Sequence, residues 1–472
     1  MKKLILILFV VTQFIFSQNI DRTVKPTPQK TPKLTLPKIE RAELKNGLKV
    51  LLVEHHELPV VQVQLIIMGG ATQEKKSGVA NLTANMIDEG TTKRNALLIA
   101  DDISFLGSSI NISSGRDANT ASLLTLKENL DASLEIFSDI ILNPSFPDFE
   151  WDRIKKQHLA NLQQQKDLPA VVSSNVFLNR LFGESHPYGQ PSGGTVESVN
   201  SILIEDLKNY YNENYTSNNA SIIIVGDVTM KEVLPKINNY FLNWKGNGKV
   251  NFTETNPIKY ESTNVFLIDK PSAAQSEINV GHIGVSRNNK DYFKLYVLNT
   301  ILGGQFSSRI NMNLREQKGF TYGARSSFSM NKINGPFTIS APVKTTVTDS
   351  SMIEIMKEFR KIVNEDVTVS ELMLAKNSIV RGLPQGFETP SQIASQISNI
   401  VIYNLKDNYF NTVVEKFNSV SIKDLRETAK KYLKPENNIV VIVGDLNLIK
   451  DKIANLNLGK ITILNNEGKE IK

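Results

Sequence analysis

The fold of this chain is decided by the stretch Asn219-Ala220-Ser221-Ile222-Ile223-Ile224-Val225-Gly226-Asp227-Val228. The stretch recurs at residue 437, an offset of 218 from residue 219, as Asn437-Asn438-Ile439-Val440-Val441-Ile442-Val443-Gly444-Asp445-Leu446. The segments before it match at the same offset, because Ile204-Glu205-Asp206-Leu207 corresponds to Ile422-Lys423-Asp424-Leu425. A helix, a turn and a strand ending at Gly-Asp therefore occur twice. The repeat predicts two related domains of roughly 200 residues each.

Strand and helix patterns are mixed around the repeat. Val60 to Met68 alternates apolar and polar residues as a strand does, and Ser77 to Glu89 has the spacing of a helix. Because there is no regular βαβ alternation, we expect an α+β fold in which a mainly antiparallel sheet is covered by helices in each domain. The predicted domains are 39–245 and 264–465, joined by a polar linker over 246–263 that contains Gly246, Gly248 and Pro257.

The N-terminal segment has the composition of an export signal. Lys2 and Lys3 precede an apolar run that ends near Phe16, and Ser17 is a small residue suited to a cleavage site. Residues 1–17 are predicted to be a signal peptide, and residues 18–38 a Pro/Lys-rich tether. An uncleaved anchor is the alternative, although the run is short for a membrane span. The mature protein is expected in the periplasm or cell envelope, soluble after removal of the signal.

The composition excludes several classes of protein. The 472 residues include no cysteine, which rules out disulfides, thiolate metal sites and cysteine nucleophiles. The net charge of +6 comes from scattered residues, and no basic run of the kind that binds nucleic acid is visible. Phosphate-binding and dinucleotide-binding glycine loops are also absent from the sequence.

The five histidines do not form a recognisable metal motif. His55 and His56 are adjacent at a strand end, where neighbouring side chains point to opposite faces, so a solvated strand end is favoured over a zinc site. His186, before Pro187 and Tyr188, is interpreted as a loop residue preceding a helix, with a catalytic role as the alternative. His282 lies in an apolar strand and is interpreted as a core histidine.

Short motifs occur in a characteristic order along roughly residues 40 to 460. In the first half they are Asn46-Gly47-Leu48-Lys49-Val50, Gly69-Gly70, Ser77-Gly78-Val79-Ala80, Glu89-Gly90-Thr91 and His186-Pro187-Tyr188-Gly189. In the second half they are Asp269-Lys270-Pro271, Leu302-Gly303-Gly304, Phe306-Ser307-Ser308-Arg309 and Leu314-Arg315-Glu316. This order resembles the pitrilysin-type metallopeptidases (the insulinase family, or inverzincins), which include the mitochondrial processing peptidase. The resemblance implies two related α+β domains that enclose a peptide-binding chamber.

The zinc motif of that family is degenerate here. Active members carry His-x-x-Glu-His, in which both histidines bind zinc and the glutamate is the general base. The corresponding residues are Asn81, Ala84 and Asn85, and Asn161 occupies the expected position of the third ligand. Amide oxygens are poor zinc ligands and Ala84 cannot accept a proton. The sequence therefore predicts no metal and no cofactor in this chain, with zinc expected only in a partner chain.

A second motif of the family is retained. Arg315 and Tyr322 have the spacing of the Arg–Tyr pair that, by resemblance, contacts the substrate backbone and stabilises the oxyanion of the tetrahedral intermediate. The alternative is purely structural: a helix that ends at Gly319 and is followed by a strand.

A substrate-binding strand is implied by the same resemblance. Asn111, Ile112 and Ser113 lie in the segment that resembles the edge strand on which family members align a peptide by β-augmentation. Their alternating pattern fits a plain core strand equally well.

These features support the hypothesis of a non-catalytic subunit of an exported, heterodimeric pitrilysin-like zinc protease. Such a chain would be inactive alone and would supply Arg315 and Tyr322 to a zinc-bearing partner that hydrolyses peptides or unfolded polypeptides. The alternative is a pseudo-peptidase that binds peptides or scaffolds an assembly of the cell envelope without a role in catalysis.

Overall fold

A computed structural model describes residues 23–24, 38–252 and 258–471. The predicted signal peptide and almost all of the predicted tether lie outside the described residues, as do residues 253–257 of the predicted linker. The described residues from Lys38 onward belong to one compact unit. Its described part contains two six-stranded sheets and the helices that cover them.

The first sheet is built from residues 40–226. Its strands are β1 (Glu40–Glu43), β2 (Lys49–Glu54), β3 (Val60–Met68), β4 (Ser109–Ser114), β5 (Ala118–Leu126) and β6 (Ala220–Gly226). Their spatial order is β1-β2-β6-β3-β5-β4, and every neighbouring pair is antiparallel except β2 with β6. The strand predicted from Val60 to Met68 has the bounds of β3.

The second sheet is built from residues 264–464. Its strands are β7 (Asn264–Asp269), β8 (Gln275–Ile283), β9 (Arg325–Phe328), β10 (Pro336–Lys344), β11 (Ile439–Gly444) and β12 (Lys460–Leu464). Their order is β12-β7-β11-β8-β10-β9, with β7 parallel to β11 and to β12 and the other pairs antiparallel. Five strands of each sheet correspond in order and direction. The two sheets differ only in the sixth strand, which is β1 beside β2 in the first sheet and β12 beside β7 in the second.

The helices fall into the same two groups. In the first half they are α1 (Val79–Met86), α2 (Ala96–Phe105), α3 (Leu130–Leu142), α4 (Asp148–Gln165), α5 (Pro169–Phe182), α6 (Val196–Ser201), α7 (Ile204–Asn214) and α8 (Met230–Phe241). In the second half they are α9 (Tyr292–Asn299), α10 (Arg309–Asn311), α11 (Thr348–Asn364), α12 (Val369–Gly382), α13 (Pro390–Tyr403), α14 (Tyr409–Asn418), α15 (Ile422–Tyr432) and α16 (Leu446–Ala454). Segments of π-helix, Thr300–Gly304 and Met312–Gln317, continue α9 and α10.

The glycine of the sequence repeat has a steric cause. Gly226, at the end of β6, has a φ of +154°, and a Cβ there would lie 2.3 Å from the carbonyl oxygen of Val60. Gly444 occupies the corresponding position on β11, where a Cβ would lie 2.4 Å from the hydroxyl of Ser276. The obstacle is backbone at the start of β3 for Gly226 and the side chain of Ser276 on β8 for Gly444.

The two halves exchange helices. Helix α5 of the first half packs on β8 and β11 of the second sheet, and α13 of the second half packs on β3 and β6 of the first. Equivalent serines mark the two contacts: Ser173 Oγ accepts a hydrogen bond from Asn279 Nδ2 at 2.7 Å, and Ser391 Oγ donates to Gln62 Oε1 at 2.7 Å. Ser173 and Ser391 are themselves 218 residues apart, so the exchange follows the sequence repeat.

The predicted α+β class with two related domains is confirmed by these sheets and helices. The predicted domain boundaries and the peptide-binding chamber stay predictions. Among the described residues, no helix is both long enough and apolar enough to cross a membrane.

Candidate functional site

The degenerate zinc-motif positions lie on α1. Asn81 and Asn85 are one helical turn apart on the same face, both are partly buried, and Asn85 Nδ2 donates to Asn81 Oδ1 at 3.3 Å. Ala84 is 1% exposed. The two positions that would present imidazoles to a metal therefore carry amides that bond to each other.

Asn161 lies on α4, which packs beside α1. Its side chain is exposed, and it makes no hydrogen bond to Asn81 or Asn85. Three neutral amides offer zinc neither imidazole nitrogen nor carboxylate, and no general base stands at residue 84, so these residues do not fit a catalytic zinc. Within the described part of the chain, no group of three or more His, Cys, Asp or Glu side chains is placed to hold a metal ion.

A direct test of this mismatch is metal content. We expect the purified protein to hold no stoichiometric zinc and to cleave no peptide alone, because removing even one supporting group typically weakens zinc sites 10–100-fold. A variant carrying Asn81→His, Ala84→Glu, Asn85→His and Asn161→Glu is the positive control and should gain zinc in elemental analysis. About one tightly bound zinc per unmodified chain, with chelator-sensitive proteolysis, would contradict the expectation.

A partly buried carboxyl caps the start of α1. Glu74 Oε2 accepts a hydrogen bond from the backbone N–H of Ala80 at 3.0 Å. Burial raises the pKa of Glu74 to about 7, although this hydrogen bond and the nearby Arg116 guanidinium oppose the increase. Nothing in the sequence pattern distinguished Glu74, because its environment is created by the packing of loops around α1.

The raised pKa of Glu74 predicts a pH-dependent stability. The folded state binds a proton more tightly than the unfolded chain, whose reference pKa is 4.5, so this contribution falls as pH rises from 4.5 to about 7. Glu74→Gln should therefore stabilise the protein by about 1–3 kcal/mol at pH 8 and have little effect at pH 4.5. Urea denaturation at both pH values measures the difference. Glu57→Gln, in an exposed loop, is the control, and equal effects of Glu74→Gln at both pH values would contradict the assignment.

The predicted substrate strand is an edge strand. β4 (Ser109–Ser114) pairs with β5 and ends the first sheet. Ile112 faces inward and packs on the first-half core, whereas Asn111 and Ser113 are exposed. Helix α1 packs against the same strand. Strand β4 pairs on one side only in the described sheet, and peptide binding at Asn111, Ile112 and Ser113 stays a prediction.

Arg315 lies in the π-helical segment Met312–Gln317. Its side chain is 41% exposed, lies over the ring of Phe306 with the guanidinium carbon 4.7 Å from the ring centroid, and approaches Glu316 at 3.3 Å. Asn313, two residues earlier, holds the segment by donating to Glu354 and Glu358 of α11 at 2.8 and 2.9 Å. Arg315 is thus presented on an anchored turn, partly exposed and paired with Glu316.

Tyr322 is 85% exposed, an unusual position for a tyrosine. Its hydroxyl makes no hydrogen bond to any described residue. The backbone around it is fixed, because the Thr321 hydroxyl donates to the Pro342 carbonyl and Asn311 Oδ1 accepts from the N–H of Ala324 at 3.1 Å. The sequence indicated a helix ending at Gly319, which has a φ of +64°, and a strand after it; β9 begins only at Arg325, which leaves Tyr322 on a short loop.

The Arg315–Tyr322 pair and the degenerate zinc-motif positions are not joined by any direct polar or ring interaction among the described residues. No hydrogen bond, ion pair or ring contact among the described residues joins Arg315 or Tyr322 to Asn81, Asn85 or Asn161.

Phe306 is the residue that sequence reasoning missed at the Arg–Tyr site. It belonged to a recognised motif, but only the fold places its ring under Arg315.

Three of the histidines make contacts that stabilise the fold. His56 bridges Glu54 and Asp227 at 2.9 and 2.6 Å, hydrogen bonds that raise its pKa. His186 begins a short 3-10 helix, where its Nδ1 accepts from the N–H of Tyr188, in agreement with its interpretation as a residue before a helix. His282 is 5% exposed, and burial lowers its pKa to about 4, as expected for a neutral core histidine.

Sequence profiles place the chain in a family. A profile described as "Insulinase (Peptidase family M16)" matches residues 49–185, and one described as "Peptidase M16 inactive domain" matches residues 201–379. The chain belongs to peptidase family M16. The resemblance to the pitrilysin-type metallopeptidases is thereby confirmed, and the two M16 profiles fall on different halves of the chain.

Relatives of this M16 chain carry different descriptions. It is 25% identical to an "Uncharacterized zinc protease" of Rickettsia felis, covering 83% of this chain and 94% of the relative. It is also 25% identical to "Non-peptidase homolog YmxG" of Helicobacter pylori, covering 85% and 93%. It is 22% identical to "Probable mitochondrial-processing peptidase subunit beta" of Arabidopsis thaliana, covering 89% and 80%.

A solved structure supports the fold and the family. The crystal structure of a peptidase M16 inactive domain from Pseudomonas fluorescens superposes with a TM-score of 0.81 at 26% identity, covering 86% of this chain and 98% of the other. The inactive-domain descriptions and the non-peptidase relative, together with the amides on α1, support a non-catalytic member of family M16.

Proposed function

We propose that this M16 chain is the exported, non-catalytic subunit of a heterodimeric zinc protease that hydrolyses peptides or unfolded polypeptides. In this proposal the zinc and general base belong to a partner chain, and this chain contributes Arg315 and Tyr322. The observation that carries the proposal is the state of Tyr322, an exposed tyrosine on a fixed backbone with no partner among the described residues.

Arg315 and Tyr322 are better suited to contact a bound substrate than to stabilise the fold. An exposed tyrosine exposes apolar ring surface to water and does not stabilise the core. A hydroxyl held on a fixed backbone is suited to donate to an oxyanion, because a preorganised donor needs no rearrangement in the transition state. The guanidinium of Arg315, stacked on Phe306, offers donors that match the carbonyl oxygens of a peptide.

The missing zinc ligands support a partner. Residues 81, 84, 85 and 161 are three asparagines and an alanine, so this chain lacks the metal-binding part of a catalytic site. A zinc-bearing homologue would supply the missing metal ligands. Relatives described as zinc proteases, and one described as a subunit of a processing peptidase, give chemical precedent for such a partner.

The test is recovery of the partner. The full-length chain, carrying an affinity tag at its C terminus, should recover from its native host a homologue with an intact His-x-x-Glu-His motif. If the complex is obligate, its interface should bury more than roughly 2,000 Å² and survive gel filtration. Peptidase activity should appear only when both chains are present. Isolation of this chain as a monomer under all mild conditions would overturn the heterodimer and favour the peptide-binding or scaffolding alternative.

A further inference from the structure

The second half contains a cavity of about 690 Å³ between α9, β9, α12, α13 and α14. Its volume is within the range of small-ligand sites. Eight aromatic residues line it, among them Tyr292, Phe328, Tyr403 and Phe417. It does not include Arg315, Tyr322 or any residue of the degenerate zinc motif. The cavity is therefore a separate feature that the proposed function does not use.

Arg287 is the one charged residue among those that line the cavity. Its guanidinium carbon lies 3.6 Å from the ring centroid of Tyr292 and 5.1 Å from that of Tyr409, and its Nη2 donates to the Tyr409 hydroxyl at 2.7 Å. Among residues 38–252 and 258–471, no carboxylate lies within 4 Å of this guanidinium. Arg287 is held in place by aromatic rings, and its positive charge is not compensated by a carboxylate.

The surroundings strengthen the attraction for an anion. The Lys416 ammonium lies 5.7 Å from the ring centroid of Tyr409, on the same group of aromatic side chains. The cavity is partly enclosed and Arg287 is partly buried in it, so a charge–charge interaction there is less screened than on an open surface. A ligand that suits this cavity combines a carboxylate for Arg287 with an apolar body for the rings.

Two amide side chains in the cavity indicate that the ligand contains peptide bonds as well as a carboxylate and an apolar group. Gln305 and Gln396 line the cavity, are partly buried, and form no side-chain hydrogen bond with any described residue. A primary amide offers both donors and an acceptor, the complement of the N–H and C=O of a peptide bond. We propose that this cavity binds the C-terminal carboxylate of a peptide whose last residue is aromatic, with Arg287 as the carboxylate ligand.

The inference is independent of the proposed function, because binding is measured on the full chain without a partner. The probe is N-acetyl-Ala-Ala-Phe with a free carboxyl group, titrated by calorimetry. Its C-terminal amide should bind about 10–100-fold more weakly, since it lacks the charged acceptor for Arg287. Equal affinities of acid and amide, or no saturable binding of the acid at about 1 mM, would overturn the proposal.

Variants locate the site. Arg287→Met should lose about 10–100-fold in affinity for the free acid and abolish the preference over the amide. Arg287→Lys should retain part of the affinity for the free acid and part of the preference over the amide, because lysine keeps the charge but not the planar pair of donors. Arg381→Met, on the exposed side of α12, is the matched control and should bind as the unmodified chain does. Unchanged binding by Arg287→Met would place the peptide elsewhere and refute the assignment.

A final arm distinguishes a peptide from a simple aromatic acid. Titration with 3-phenylpropanoate offers the same carboxylate and ring without peptide bonds. It should bind more weakly than N-acetyl-Ala-Ala-Phe, and Gln396→Ala should reduce the affinity for the tripeptide but not for 3-phenylpropanoate. Equal affinities for the two ligands would refute the peptide assignment and identify a site for small aromatic acids.

Discussion

Tyr322→Phe is expected to reduce the turnover of the reconstituted heterodimer by about 10²–10³-fold, the usual cost of removing one oxyanion donor. The substitution deletes only a hydroxyl that forms no bond within the described chain, and the 85% exposure of the side chain leaves little packing to disturb. Thermal stability and assembly with the partner should therefore be unchanged. The measurement is kcat and KM of the two-chain enzyme with a peptide substrate.

Arg315 gives the companion measurement. Arg315→Ala should lower kcat and raise KM together, because the guanidinium is proposed to align the substrate as well as to stabilise the transition state. Arg325→Ala, at the exposed start of β9, is the matched control. Tyr322→Phe with unchanged turnover would leave the pair as a helix end and a loop, and the scaffolding function would then be the better account.

Phe177→Ala is expected to destabilise the whole protein by about 3–5 kcal/mol. Phe177 lies on α5 of the first half but is buried, 2% exposed, against β8 and β11 of the second sheet. Its ring packs on Gly281, where an added Cβ would lie 3.1 Å from Phe177 Cζ and 1.9 Å from the Phe337 carbonyl oxygen. The sheet surface opposite the ring is backbone that cannot move to fill the space left by alanine.

The effect should reach both halves. Since α5 belongs to one half and covers the other, probes in each half should report the same lowered unfolding midpoint in denaturant. Phe149→Ala, at a 77% exposed position on α4, should change stability by less than about 0.5 kcal/mol. Loss of the second half alone, with the first half unfolding at its original midpoint, would show that the halves are not coupled through α5.

The sequence predicts those parts of the fold that depend on local pattern and repetition. Alternation gives β3 its correct bounds, and the two Gly-Asp strand ends identify the repeat. A side chain at Gly226 would collide with backbone, and one at Gly444 with the side chain of Ser276. The start of α4 is less certain from sequence. The structure begins this helix at Asp148, directly after Pro147. Pro147 was the signal for that start.

The exchange of α5 and α13 was not predicted, since an amphipathic pattern shows that a helix is covered but not by which sheet. Ser173 and Ser391 are separated by the offset of the repeat, which is visible in the sequence. Their role in the exchange is recognisable only when their hydrogen-bond partners on the opposite sheets are known. At the candidate site, the loss of zinc ligands is evident from residue types alone. The exposure of Tyr322, the stacking of Phe306 under Arg315 and the burial of Glu74 depend on tertiary packing, which no local pattern encodes.

The exchanged helices also set the order in which the chain can mature. Strand β6, the last of the first sheet, ends at Gly226, but the helix that covers one face of that sheet ends at Tyr403, 177 residues later. At a synthesis rate of roughly 5–20 residues per second, that face waits about 10–35 seconds for its cover. During this interval the nascent chain presents an apolar sheet with no internal partner. Until α13 is synthesised, this exposed apolar face makes the partly folded chain prone to aggregation.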